Sequence, residues 1–186
     1  MYKGLDYWKD TVLTPGTIKE ENISEFLETA REIFINGGVE FASFSFGNDP
    51  KAEERTLVID FDAECFFRIL LTSEAFRNAL PQLQPPKTID AIEWEQLSSF
   101  DLECGLTRHL IHGGAYEKFS GSVKEAKLLS ERTAYALFAE RYDDLLLFRS
   151  WDIWSPWFSD IAWHWTWIGF DRNLREVWVL CITDTD

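Results

Sequence analysis

Trp163-His164-Trp165-Thr166-Trp167-Ile168-Gly169-Phe170, followed after Asp171-Arg172-Asn173-Leu174-Arg175 by Glu176-Val177-Trp178-Val179-Leu180-Cys181-Ile182-Thr183, is the stretch that decides the fold. Two runs rich in β-branched and aromatic residues around a polar connection read as a hairpin, with strands over Ile161–Phe170 and Glu176–Thr183. Successive strand side chains point to opposite faces, so Trp163, Trp165 and Trp167 share one face. Ala162, His164, Thr166 and Ile168 occupy the other. On the second strand Trp178, Leu180 and Ile182 form one face and Val177, Val179 and Cys181 the other. A strand apolar on both faces belongs in the middle of a sheet covered on both sides. A two- or four-residue turn brings the two Trp-bearing faces together, and a three-residue turn separates them.

Working back from the hairpin, Leu145–Arg149 reads as a buried strand. It is followed by an aromatic loop, Trp151 to Asp160, broken at Pro156. Ser122 with Glu125 is a capping box that starts a helix running to about Arg141. Its inner face is Val123, Ala126, Leu129, Thr133, Ala136 and Leu137. Leu102–Ile111 reads as a helix closed by His112-Gly113-Gly114, and a short strand is expected around Ile89–Trp94.

Nearer the start, Thr17 with Glu20 suggests a capping box for a helix over Ile18 to Asn36. Ile23, Phe26, Leu27, Ala30, Ile33 and Phe34 fall on its apolar face. Strands are expected at Val39–Phe46 and Thr56–Phe61. A helix capped by Asp62 begins at Ala63, breaks near Thr72-Ser73 and stops at Pro81. Gln82–Lys87 has linker composition but is too short to divide the chain. The expectation is therefore a single domain over residues 1–186. Its class is α+β, a mixed or antiparallel sheet with about three helices, ending in the Trp-rich C-terminal β-hairpin.

Composition bounds the function. The 186 residues carry a formal charge of -14, spread along both halves, with 9 Trp and 15 Phe. Such a field repels nucleic-acid phosphates and anionic membrane surfaces and favours a basic partner. No apolar run is long enough to span a bilayer, and none stands at the start as a secretory signal. Cys65, Cys104 and Cys181 are an odd, widely spaced set, expected as reduced and buried small hydrophobes in a cytoplasmic protein. No cofactor fingerprint is present, and oligomeric state is not legible.

The chemistry-bearing residues give several competing readings. Seven of the nine tryptophans lie between Trp151 and Trp178. The strand tryptophans read as core, because large indoles are strongly buried. Trp151, Trp154 and Trp157, with Asp152 and Asp160, read as a binding loop, since rigid aromatics on loops are frequent anchors. His164 with Asp160 is the alternative, catalytic reading: an imidazole oriented by a carboxylate in an aromatic pocket lined by the hairpin. Cys104, His109 and His112 lack a second ligand pair at zinc spacing, so no metal site is expected. Asp60 and Asp62 read as a strand end and a helix cap. Gly113-Gly114 and Gly121-Ser122 lack the rest of a phosphate-binding fingerprint. The acidic, aromatic-rich profile resembles that of bacterial immunity proteins and other toxin-neutralising inhibitors. That likeness is one of profile and rests on no motif. The leading expectation is thus a non-enzymatic protein that binds a basic protein; the alternative is a small-molecule binder or small hydrolase.

Overall fold

Every residue of the last strand, Glu176–Thr183, is buried, and the rest of the molecule is arranged around it. The computed structural model describes Trp8 and residues 10–46, 63–158 and 163–186. Its strands are β1 Thr14–Pro15, β2 Gly38–Ser45, β3 Glu95–Leu97, β4 Leu145–Ser150, β5 His164–Asp171 and β6 Glu176–Thr183. They form one sheet in the order β1-β2-β6-β5-β4-β3, and every neighbouring pair is antiparallel. Five α-helices accompany it among the described residues: α1 Ser24–Ile33, α2 Ala63–Thr72, α3 Glu74–Ala79, α4 Asp101–His112 and α5 Val123–Phe138.

The alternation along β6 builds two cores. Trp178, Leu180 and Ile182 face α1, α4 and α5, together with Val39, Phe41, Leu147 and Trp167. Val177, Val179 and Cys181 face α2 and α3, together with Phe44, Phe46, Phe148 and Phe170. Asp171 pairs with Glu176, leaving Arg172 to Arg175 as a four-residue connection. That length places Trp167 opposite Leu180 and Gly169 opposite Trp178, so the Trp-bearing faces do come together. Gly169 is needed there, because the Trp178 indole lies where its Cβ would be.

The α2–α3 face is rich in aromatic rings. Phe66 meets Phe170 edge to face at 5.2 Å and Trp8 at 4.8 Å, and Phe67 meets Phe148 at 4.9 Å. Edge-to-face pairs at these separations add to the burial of their area. The break after Thr72 divides this layer into two helices: Ser73 caps α3, its Oγ accepting the Phe76 amide at 3.0 Å. α5 starts as its capping box predicts, with Ser122 Oγ accepting the Glu125 amide and the Ser122 amide donating to Glu125 Oε2 at 2.7 Å. These hydrogen bonds hold the Glu125 carboxyl below the usual carboxylate range. α5 ends at Phe138, and Val123, expected on the inner face, is exposed.

Several expectations are corrected. The first helix is shorter than its periodicity suggests: a 3-10 turn at Glu20–Ile23 precedes α1, which ends at Ile33. Thr17 does not cap it. Its hydroxyl donates to Glu176 Oε2 at 2.6 Å, and the Thr17 and Ile18 amides donate to Glu176 Oε1. A buried carboxylate on β6 thus outcompetes the local box and ties the N-terminal segment to the sheet. The strand expected at Ile89–Trp94 lies instead at β3, Glu95–Leu97, one of the two edges of the sheet, with Glu95 opposite Arg149. Cys181 is buried as expected, and burial pushes its thiol up, but Cys104 is exposed. The candidate strand Thr56–Phe61 and the Asp60 and Asp62 positions lie outside the described residues.

Asp184, just beyond β6, is fully buried. Its Oδ1 accepts the Asn36 amide at 2.9 Å and its Oδ2 the Ala115 amide at 2.7 Å. The carboxylate therefore clamps the α1–β2 turn and the segment after α4 to the end of the sheet. Asp184→Asn sets an NH2 group against one of those amides. It is expected to lower unfolding free energy by about 2 kcal/mol in a urea titration.

A candidate binding loop at the end of β4

β4 delivers the chain to the aromatic loop through Ser150, whose hydroxyl accepts the Asp152 amide at 3.0 Å. The loop is then pinned from three directions. Asp152 Oδ2 accepts the Glu93 amide at 2.6 Å. Ser155 Oγ donates to the Leu83 carbonyl and accepts the Trp157 amide at 3.1 Å. Trp154 turns inward, and its Nε1 donates to Thr166 Oγ1 of β5 at 2.8 Å. A loop fixed by side chains onto separate elements presents its exposed groups with little entropy left to lose on binding.

A cleft of about 500 Å³ lies between this loop and the Pro86–Ile92 segment. Pro86, Ile89, Ile92 and Ile153 give it apolar walls, and Asp90 and Asp152 are its charged groups. No cation lines it. Beside the cleft stands Trp151, 46% exposed and still ordered. The Arg149 guanidinium lies over its ring at 4.2 Å and over the Trp167 ring at 5.2 Å, while donating to Glu95 at 2.6 Å. An Arg between two indoles and a carboxylate is a cation–π stack that fixes the outer ring.

The predicted loop residues therefore do not form one constellation. Asp152 and Trp154 line the cleft, Trp151 stacks on Arg149, and Trp157 packs beside Phe158 at 5.2 Å. Trp154 is buried, with its N–H engaged, so it supports the loop from beneath; the exposed anchors are Trp151 and Ile153, the latter not anticipated. Asp160 lies outside the described residues. His164 is half-buried 6.2 Å from the Phe158 ring and lines neither this cleft nor the one between α4 and α5. Thr166, on its face, is already bonded to Trp154. Of the hairpin tryptophans, Trp167 and Trp178 are sealed beneath the helices, whereas Trp163 and Trp165 are half-buried.

The other candidate chemistry is also committed to structure. His109 is buried, and its Nε2 accepts the Trp167 indole N–H at 2.9 Å. An accepting Nε2 places the ring proton on Nδ1, the neutral tautomer. Burial, with the Arg149, Arg108 and His112 charges adding to it, pulls His109 down to about 3. The Gly114 amide donates to the Glu117 carbonyl and the Ala115 amide to Asp184, so neither is free to hold a phosphate. Among the described residues no group of three His, Cys, Asp or Glu side chains is placed to hold a metal ion. None of their helices is long and apolar enough to cross a membrane. No protein-family model, curated protein or solved structure matches the chain.

Proposed function

We propose that this chain is a non-enzymatic binding protein that engages a basic protein partner, in the manner of an inhibitor or immunity-type protein. The observation that supports it best is the pinned loop, where exposed Trp151 and Ile153 flank an apolar cleft whose charged groups are Asp90 and Asp152. Aromatic and aliphatic anchors supply affinity, and the acidic surface steers a basic protein toward them while repelling nucleic acid and anionic lipid. Unbridged Cys65, Cys104 and Cys181 suit a reducing, cytoplasmic setting.

The test uses the tagged chain and its Trp151→Ala, Ile153→Ala variant against extract of the source cells. Both side chains are exposed and outside the two cores, so the variant is expected to fold normally. A basic protein should be retained by the parent at low salt and released as salt rises toward about 0.5 M. It should bind the variant at least about tenfold more weakly. No basic protein retained at low salt overturns the proposal.

A further inference from the structure

A second cleft lies at the other end of β4, about 20 Å along the strand from Trp151. It encloses about 580 Å³ between the start of α4, the outer face of α5 and the turn that precedes β4. Phe100 is 68% exposed and Tyr135 62%, and exposed Leu128 and Tyr142 adjoin them. Single exposed apolar side chains are ordinary; four around one cleft mark a contact surface. Part of this wall is ordered. Phe100 stacks on Tyr142 with centroids 4.8 Å apart and planes 17° apart. Tyr142 in turn meets Phe138 edge to face at 5.0 Å, and Ser99 Oγ donates to its carbonyl at 3.0 Å.

Charge identifies what fits. Glu103, Glu131 and Glu140 line the cleft. The lining cation Arg132 is held 2.7 Å from Glu25, and Lys127 lies 3.9 Å from Glu103, which leaves Glu131 and Glu140 as the cleft's carboxylates open to a partner. Aromatic faces carry negative potential, so rings and carboxylates here attract the same thing, a cation with an apolar stem. An anionic segment is repelled, and a neutral apolar one would cover carboxylates without pairing them.

We propose that this cleft receives a lysine or arginine side chain of the protein partner, flanked by apolar residues. Its methylenes lie against Phe100 and Tyr135, and its charged head lies beside Glu131 and Glu140. The proposal rests on the basic-partner reading above and adds a second, separate contact to it.

The probe is acetyl-Leu-Lys-Leu-amide, titrated into the 15N-labelled full chain at about 0.15 M salt, where diffuse charge attraction is screened. Saturable amide shifts should be confined to residues 99–103 and 128–142. The analogue with norleucine for lysine should bind about fivefold or more weaker, as should the lysine peptide to Glu131→Gln, Glu140→Gln and to Tyr135→Ala. Trp151→Ala should not change it. Shifts spread over the acidic surface, no saturation, or equal binding of the norleucine peptide overturns the proposal. If the extract yields no basic partner while the lysine peptide still saturates the cleft, the proposed function falls and the cleft stands. If a basic partner binds the parent and Phe100→Ala, Tyr135→Ala equally, the function stands and the cleft falls.

Discussion

Trp167→Ala is expected to lower the unfolding free energy by about 3–5 kcal/mol, the cost of removing a fully buried aromatic from a packed core. Trp167 is wholly inaccessible on a central strand, and three neighbours depend on it. His109 Nε2 loses its donor, and Arg149 loses one of its two rings. The third neighbour is Gly105. α4 sits so close to the sheet that a Cβ there would reach within 2.7 Å of Trp167 Cζ2 and still closer to Cη2. In a helix interior Ala is ordinarily better than Gly by about 1 kcal/mol. Gly105→Ala should reverse that sign and cost about 1–3 kcal/mol, because the sheet cannot retreat. Trp167→Phe removes the benzo carbons that collide, so in that background Gly105→Ala should cost much less. Urea unfolding of the two single variants and the double gives the coupling; strictly additive losses would show that the helix and the indole do not press on one another.

That contact was not legible in the sequence, although both partners were. Strand alternation placed Trp167 on one face with Trp163 and Trp165, read as core, and Leu102–Ile111 read as a helix. Neither reading states which helix lies over which strand. The same limit explains Thr17: the local pattern with Glu20 was sound, but Glu176 is far away in sequence and closer in space. Where a signal was local and uncontested, it held. Ser122 and Glu125 form their box, the chain breaks at Ser73, and both faces of β6 are covered. The connection length, Arg172 to Arg175, then settled the parity that the sequence left open.

The binding loop was legible as a place but not as a geometry. Three tryptophans at three-residue spacing would share a face only on a helix, and Pro156 rules a helix out there. In the loop each ring goes its own way: out onto Arg149, in onto Thr166, and sideways onto Phe158. The Arg149–Trp151 stack was not visible, because Trp151 lies just past the end of β4, where strand alternation no longer fixes a side chain's direction. The cleft under Phe100 and Tyr142 was not visible, because it joins the ends of elements that sequence reading places least well.

His109 is expected to make stability fall as the solution is acidified. Its pKa is about 3 in the folded chain against 6.5 ordinarily. Between those values the unfolded chain binds the proton and the folded chain does not. Stability is therefore complete above about pH 6.5 and is lost as pH falls toward 3, by at most about 1.4 kcal/mol per unit. Other groups act in the same titration. Burial raises the Glu40 carboxyl, which contributes stability at low pH and loses it as pH rises. Protonating carboxylates also relieves the repulsion within a chain of charge -14. Both push against His109, mainly below about pH 5. His109→Gln separates the effects, because a glutamine oxygen can accept the Trp167 N–H without ever taking a proton. Measured by urea unfolding, the parent should lose stability from about pH 6.5 to 5 relative to the variant, with a difference reaching about 2 kcal/mol. The two proteins should run parallel above about pH 7.5. Parallel curves through the whole range would mean that the imidazole takes up its proton at the same pH in the folded and unfolded chains, and that Trp167 and His109 are not joined as donor and acceptor.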